Sequence, residues 1–158
     1  MPIIIDRVRG DLLEVTADAI VNPWNRNILP RWLQVSGGIS GRLKQVTGPA
    51  PWRELADHGP MALGEAVETT AGKLLTAGAI IHVAGLNLAW RATPASVRSS
   101  TLNAVQLAES RDHRTLAIPL IGAGHGGLSV DQCRTIILEA LLEAPSTDSV
   151  KITMVEPA

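Results

Sequence analysis

Residues 116–133 of the chain read LAIPLIGAGHGGLSVDQC, and this stretch decides the fold class. Its first four residues form an apolar run with the length of a buried strand. Ser129 and Gln132 have the spacing of a capping box, which predicts the start of a helix. Four glycines lie between the two elements. A strand, a glycine-rich loop and a helix in this order are typical of an α/β protein with parallel strands.

Further apolar runs along the chain predict the other elements. Strands are predicted at residues 3–8, 19–22, 66–70, 79–83, 116–119 and 150–155, with Pro23 ending the second. Helices are predicted at residues 40–46, at 94–110 behind a Thr93 cap, and after Ser129. The alternation predicts one domain over residues 1–158, with helices on both faces of a largely parallel sheet. In such folds, ligands bind beyond the carboxyl ends of the strands.

The composition narrows the class of protein. The 158 residues carry 14 basic and 15 acidic side chains, a net charge of −1, which argues against a general nucleic-acid surface. The one cysteine, Cys133, cannot form an intramolecular disulfide, and no apolar run has the length of a membrane span. The first residues, MPIIIDRVRGD, lack the apolar core of a signal peptide. We therefore expect a cytoplasmic protein without a membrane-spanning segment. We also expect a monomer that carries no metal ion and no cofactor.

The loop at residues 122–127 has the properties of an anion-binding site. Its glycines allow positive φ angles, so that successive N–H groups can converge on a ligand, and the next helix adds its positive N-terminal end. A phosphate or diphosphate fits these properties. The alternative is a strand–helix connection in which the glycines only shape the turn. No Lys-Ser/Thr pair follows the loop, so a nucleoside-triphosphate P-loop is not predicted.

Two other segments follow predicted strands or lead into helices. Asn22-Pro23-Trp24-Asn25 comes directly after the second strand, and the amides of Asn22 and Asn25 can pair with ribose hydroxyls. The alternative is that either asparagine caps a turn. Gly37-Gly38 stands just before a predicted helix, as the later glycines do. Two such loops on one sheet predict a diphosphate held from both sides.

The order of these segments resembles that of a macro domain, the ADP-ribose-binding module. The resemblance runs over nearly the whole chain, and its most specific part is DAIVN followed three residues later by Asn25. The matching stretches are RGDLLEVTADAIVNPWN, VSGGISGRLKQVTGP, LGEAVETTAGKL with AIIHVAG, and IPLIGAGHGGLSVDQC. The resemblance implies a three-layer α/β/α sandwich with a mixed, mostly parallel central sheet, of the bacterial stand-alone type.

The resemblance also implies site residues. Asp11 would accept a hydrogen bond from the adenine amino group, with the Leu12 backbone beside it, and Asn25 would contact the distal ribose. Asn22 is a further candidate contact. Two groups of residues would enclose the diphosphate, namely Gly37, Gly38, Ile39 and Ser40 on one side and Gly122, Ala123, Gly124, His125 and Gly126 on the other.

A hydrolase that removes mono-ADP-ribose from macromolecules, or cleaves small ADP-ribose esters, is the activity that the resemblance implies. Asn25, His125 and Ser40 are the catalytic candidates, with Asn25 orienting the substrate and His125 transferring a proton. His125 has alternative roles over the distal ribose, at a phosphate, or in shaping the loop. Family hydrolases with an acidic first loop carry Asp where Ser40 stands, and a serine hydroxyl is a poor general base. The alternative is therefore a non-catalytic ADP-ribose reader.

Three further positions bear on the site. His82 lies within a predicted strand and is expected to be a core histidine. The segment after Asn25 is longer than in the family, and its Arg31 and Trp32, with Arg26, are candidates either for ligand contact or for a surface flap. The last strand ends MVEPA, without the aromatic residue on which the family often stacks adenine.

Overall fold

A computed structural model of the protein describes residues 4–29, 38–144 and 150–157, with the exception of the His125 side chain. The described strands are β1 (Ile4–Arg9), β2 (Ala17–Trp24), β3 (Ala66–Thr70), β4 (Ala77–Ala84), β5 (Thr115–Pro119) and β6 (Lys151–Glu156). The described α-helices are α1 (Gly38–Thr47), α2 (Ala50–His58), α3 (Pro94–Ser110) and α4 (Val130–Glu143). Short 3-10 turns cover Leu12–Glu14 and Gly124–Gly126.

The strands form one mixed sheet in the order β1-β6-β5-β2-β4-β3. All neighbouring pairs are parallel except β3 with β4, which is antiparallel. The carboxyl ends of β1, β6, β5, β2 and β4 therefore meet at the same edge of the sheet, and the loops that leave these strands can build one continuous site there.

Side chains alternate across the sheet and feed two cores. On β2, Val21 packs into one core and Ile20 into the other, and Ile81 and Ile80 of β4 divide in the same way. The first core is completed by α3 and α4 and the second by α1 and α2. The protein is thus the three-layer α/β/α sandwich that the sequence predicts.

The helix signals in the sequence are confirmed. Helix α3 begins at Pro94 behind a reciprocal pair of hydrogen bonds between Thr93 and Ser96, of 3.1 and 2.9 Å. Ser129 and Gln132 make the same pair at the start of α4, also at 3.1 and 2.9 Å. Each pair satisfies two N–H groups that a helix start leaves unbonded.

One predicted strand boundary is wrong and one helix was not predicted, each for an identifiable reason. Strand β2 does not stop at Pro23 but continues to Trp24, still paired with β4. The ladder to β5 ends at Ile20, so the missing N–H of Pro23 falls beyond it. Helix α2 was not predicted, because Gly48-Pro49 indicated only the end of α1. Proline also suits the first turn of a helix, where no intrahelical N–H bond is made, and Pro51 stands there, with Pro49 as the N-cap residue.

Candidate functional site

A cleft of about 860 Å³ runs along the carboxyl edge of the sheet. Residues that follow five different strands line it, namely Asp11 after β1, Pro157 after β6, Gly122 after β5, Asn25 after β2 and Trp90 after β4. Four spacings separate five neighbouring strands, which makes the cleft about 19 Å long. An elongated ligand fits this shape better than a compact one.

Most of the sequence-predicted site residues line this cleft. They are Asp11, Leu12, Asn25, Gly38, Ile39, Ser40, Gly122, Ala123, Gly124 and Gly126. Gly37, Arg31 and Trp32 lie outside the described residues, as does the side chain of His125, whose backbone belongs to the 3-10 turn Gly124–Gly126.

At the β1 end of the cleft, Asp11 is held in place by its neighbours. Its Oδ1 accepts a hydrogen bond of 3.0 Å from the Leu13 N–H, which caps the 3-10 turn Leu12–Glu14. The Arg42 guanidinium pairs with the same carboxylate and holds the pKa of Asp11 below its usual range. Asp11 therefore presents a fixed, ionised acceptor to a ligand.

The floor of the β1 end is apolar and rests on a buried ion pair. Val155 and Pro157 line the cleft, and between them Glu156 turns away from it, only 5% exposed. Both oxygens of Glu156 are bonded, one to Arg134 at 2.5 and 2.8 Å and the other to Arg7 at 3.1 Å. This pairing lowers the pKa of Glu156, chiefly through Arg134.

Asn25 lies at the carboxyl end of β2, and the oxygen of its side-chain amide already has a hydrogen-bond partner. Its Oδ1 accepts a 2.7 Å hydrogen bond from the Asn27 N–H. In the part of the chain that the structure describes, the Nδ2 group of Asn25 donates to no protein atom. The amide orientation therefore leaves two N–H donors for a ligand that enters the cleft.

Asn27 holds the segment that carries Asn25, and the sequence did not reveal it. The side chain is buried, and its Nδ2 donates to the carbonyls of Leu55 and Gly59 at 2.7 and 2.9 Å. The Trp24 indole N–H donates to its Oδ1 at 3.3 Å. Asn27 has a φ of 57°, a left-handed conformation that asparagine tolerates better than most residues. The turn after β2 is thereby fixed to α2.

Asn22 differs from the expectation that it contacts a ligand. The side chain is fully buried and lies behind the cleft, because its amide bonds to His82 Nδ1 at 2.9 Å and to the Ser40 hydroxyl at 2.8 Å. His82 Nε2 lies 2.8 Å from Thr69 Oγ1. Burial lowers the pKa of His82 to about 3, so the ring is neutral, and the prediction of a core histidine is confirmed.

This chain of bonds also defines the state of Ser40. The Ser40 hydroxyl donates to Asn22 Oδ1, with the Pro23 carbonyl as a second acceptor at 3.2 Å. The residue lines the cleft, but only 8% of it is exposed. Its proton is directed into the protein, which fits a role in holding the start of α1 against β2 rather than a role as a base.

A helix N-terminus and a short 3-10 turn line the middle of the cleft. Helix α1 begins at Gly38, and a 3-10 turn begins at Gly124. The first N–H groups of such elements have no partner within the helix, and they carry partial positive charge. The only charged side chains among the described residues of the cleft wall are Asp11 and Arg42, which pair with each other. Backbone N–H groups are therefore the chief anion donors of the described site.

The glycines of the second loop serve two different purposes. A Cβ on Gly122 would lie 2.8 Å from Val97, and one on Gly126 would lie 2.9 Å from Ala92, so these two permit close packing. Gly124 has a φ of 71° and open space where a Cβ would be. The packing glycines fix the loop, and Gly124 leaves room on its cleft side.

Trp90 closes the β4 end of the cleft and was not predicted as a site residue. It is 42% exposed and has a φ of 60°. Asn87 stabilises this conformation, because its Oδ1 accepts from the N–H groups of Ala89 and Arg91 at 2.9 and 3.1 Å and its carbonyl accepts from Trp90 at 2.9 Å. The signal in the sequence was a tryptophan shortly after a buried strand, in a chain without Tyr or Phe.

A second hollow, of about 730 Å³, lies at the opposite edge of the sheet, at the amino ends of β2 and β4. The carboxylate of Asp18 lines it but accepts from the N–H groups of Arg114 and Thr115, at 2.7 and 3.2 Å. Its polar groups thus hold the loop before β5, and it lacks the open N-termini of the cleft.

Parallel strands that end at a cleft, between two helical layers, are the arrangement in which open α/β sheets place their ligand sites. The family model for the macro domain matches residues 21–137, and the chain belongs to this family. An uncharacterized protein of Aquifex aeolicus is 34% identical over 135 residues, which cover 85% of this chain and 78% of that protein.

Two further comparisons concern length and fold. An uncharacterized protein of Mycobacterium tuberculosis is 30% identical over 84% of this chain, but the match covers only 35% of that longer protein. The crystal structure of a Trypanosoma brucei macrodomain in complex with ADP-ribose superimposes with a TM-score of 0.82. That match covers 97% of this chain and 63% of the other at 22% identity, and it supports the fold.

Among the described helices, none is both long enough and apolar enough to cross a bilayer.

Proposed function

We propose that the chain binds ADP-ribose along the cleft and hydrolyses mono-ADP-ribosyl linkages of macromolecules or small ADP-ribose esters. The observation that carries this proposal is the N-terminus of α1 at Gly38 opposite the glycine-rich 3-10 turn Gly124–Gly126, both of which line the middle of a cleft spanning five strands. A diphosphate is the anionic group that lies midway along ADP-ribose. The fold neighbour from Trypanosoma brucei is described in complex with this ligand.

The two ends of the cleft support one orientation of the ligand. The ionised carboxylate of Asp11 and the backbone of Leu12 suit the amino-bearing edge of adenine, with Val155 and Pro157 against the ring. The free Nδ2 donors of Asn25 suit the hydroxyls of the distal ribose at the other end. The diphosphate then lies against residues 38–40 and 122–126.

Hydrolysis would take place beside Asn25. A water molecule would attack the anomeric carbon or the ester carbonyl of the bound substrate, its oxygen staying with the attacked carbon while its proton passes to the leaving group. Asn25 would orient the distal ribose and the loop N–H groups would stabilise developing negative charge. His125 is the candidate for the proton transfer. Ser40 would act through position, because its hydroxyl is already donated to Asn22.

A non-catalytic reader is the second candidate, and the state of Ser40 favours it. The family hydrolases with an acidic first loop have Asp at this position, and here neither a carboxylate nor a free hydroxyl is present. Reader and hydrolase share the ligand and its contacts, so that only turnover separates them. In either case we propose a cytoplasmic, monomeric domain.

Two measurements test the proposal. Calorimetry with ADP-ribose is expected to show saturable binding, and the absence of heat at ligand concentrations near solubility would overturn both candidates. Release of ADP-ribose from a mono-ADP-ribosylated protein is expected for the wild type. Asn25→Ala should slow this release about a hundredfold through loss of substrate orientation.

A matched control for Asn25→Ala is Asn103→Ala. The Asn103 amide donates to the Gly64 carbonyl away from the cleft, so its loss removes an ordinary hydrogen bond and should leave turnover unchanged. Binding without any release above that of Asn25→Ala would identify the chain as a reader.

A further inference from the structure

Trp90 is exposed in a way that the other described tryptophans are not. Trp24 and Trp52 are 3% and 6% exposed and belong to the core between the sheet and α1 and α2. Trp90 is 42% exposed and lies on the wall of the cleft. Because burial of a large aromatic ring stabilises a fold, an aromatic left half-open on a cleft wall indicates a surface for a ligand.

The loop that carries Trp90 is anchored to both sides of the cleft at this end. The Gly85 N–H donates to the Trp24 carbonyl at 3.0 Å, next to Asn25. The Ala92 N–H donates to the Gly126 carbonyl at 3.0 Å, in the second glycine loop. Asn87 fixes the turn between these anchors. The backbone that carries Trp90 is thus held between Trp24, the neighbour of Asn25, and the loop at residues 122–127, and Trp90 lines the cleft there.

The bonds of its loop place Trp90 away from the Asp11 end of the cleft. Trp90 follows β4 and Asp11 follows β1, and β6, β5 and β2 lie between them. The carboxyl ends of β1 and β4 are four strand spacings, about 19 Å, apart. The bond from Ala92 to Gly126 brings the loop of Trp90 toward the loop after β5, which is still two spacings, about 10 Å, from β1. In the orientation proposed above, adenine lies at Asp11, and the group within reach of the indole is the distal ribose.

We propose that Trp90 covers the distal ribose and makes the cleft select ADP-ribose over ADP. The face of an indole is apolar and packs on the C–H face of a sugar, while Asn25 donates to the hydroxyls at its edge. ADP ends at the diphosphate and makes no such contact. This inference rests on the proposed function, since it assumes that ADP-ribose lies in the cleft.

The test compares two ligands on one set of variants. Trp90→Gly removes the ring and is compatible with the left-handed backbone at this position, while Trp90→Phe retains an aromatic face. Calorimetry should show that Trp90→Gly weakens ADP-ribose about tenfold and ADP less than about twofold, and that Trp90→Phe keeps most of the ADP-ribose affinity. Leu88→Ala is the matched control, because Leu88 is an exposed residue of the same loop outside the cleft wall.

The outcomes separate the two proposals. A wild-type protein that does not bind ADP-ribose contradicts the proposed function. If the wild type binds ADP-ribose but Trp90→Gly keeps the same ratio of ADP-ribose affinity to ADP affinity, only the role of Trp90 is overturned. An equal loss of affinity for both ligands has the same meaning. Retained binding of ADP shows that the variant is folded.

Indole fluorescence gives a second readout. Addition of ADP-ribose should change the emission of the wild type through Trp90, and ADP should change it much less. The difference between the ligands should vanish in Trp90→Phe. A difference that persists in this variant would contradict the proposal.

Discussion

At the scale of single residues, the side chains beneath the cleft matter as much as those that line it. Asn27 is the clearest case. Its buried side-chain amide donates to the backbone carbonyls of Leu55 and Gly59, and so joins the end of β2 to helix α2 and the residue after it. Its own N–H also orients Asn25. The geometry of a candidate catalytic residue is thus set by a neighbour that touches no ligand.

Replacement of Asn27 should destabilise the protein in two separable ways. Asn27→Ala removes three side-chain hydrogen bonds and strands buried partners, which should lower the free energy of unfolding by about 2–4 kcal/mol. Asn27→Gly loses the same bonds but suits the φ of 57°, and should be about 1 kcal/mol more stable than the alanine variant. Denaturant unfolding measures both, and equal values for the two variants would speak against the left-handed backbone.

His82 predicts a dependence of stability on pH. Its pKa is lowered by burial from 6.5 to about 3, so the folded protein leaves it neutral where the unfolded chain protonates it. Because the unfolded state binds the additional proton, the contribution of His82 to stability is complete above pH 6.5 and declines below it. The decline is about 1.4 kcal/mol per pH unit.

The state of His82 can be measured directly. The imidazole nitrogen shifts in NMR spectra should show a neutral ring down to about pH 4 in the folded protein. Denaturant unfolding at several pH values should show the slope, and His82→Gln should lack this part of it. Titration of the folded His82 ring near pH 6.5 would refute the buried chain of bonds from Ser40 to Thr69.

At the scale of elements, the second glycine loop shows that glycines of one segment are not equivalent. A side chain on Gly122 or Gly126 meets packed neighbours, whereas Gly124 and Gly59 both combine positive φ with open space. Gly59 follows α2, away from the cleft, so the two positions differ chiefly in whether a ligand is near.

Substitution of leucine at these two positions therefore distinguishes an effect on the stability of the fold from an effect on ligand affinity. Gly124→Leu should lower the free energy of unfolding by about 1–2 kcal/mol, because it forces a side chain onto a backbone with positive φ. Gly59→Leu should lower it at least as much, because a φ of 81° with a ψ of −163° is a conformation essentially confined to glycine. Only Gly124→Leu should weaken ADP-ribose, by about tenfold or more, since it fills the diphosphate part of the cleft. Equal binding by the two variants in calorimetry would contradict the placement of the diphosphate at this loop.

The elements also show what the sequence could predict. Helix α3 was predicted with both its ends, because Thr93 and Pro94 are local signals that act within one turn. Strand β3 was predicted with the observed bounds. Helix α2 was missed, because Gly48-Pro49 was taken only as the end of α1, whereas Pro49 is also the N-cap residue of α2. Local signals were sufficient to predict α3 and β3, whereas the signal for α2 was ambiguous.

At the scale of the whole molecule, the structure brings together the predicted site residues that follow strands. It differs from the expectation where the surroundings of a residue depend on packing. Asn25 and the glycine loops follow strands, and parallel strands bring such loops to one edge. The bonds that bury the Asn22 side chain were not predictable from its position in β2, three residues before Asn25, because they involve His82 and Ser40 from other parts of the chain. Trp90 was missed for the same reason.

The order of the strands has a consequence for how the protein is made. Strand β6 comes after the other five along the chain, yet it lies between β1 and β5, and in the described sheet β1 pairs with β6 alone. A nascent chain that has not yet reached residue 151 has its first strand without this partner and lacks the Val155 and Pro157 wall of the cleft. During translation, the half of the cleft around Asn25 can form early, whereas the half around Asp11 has to await the emergence of β6 from the ribosome.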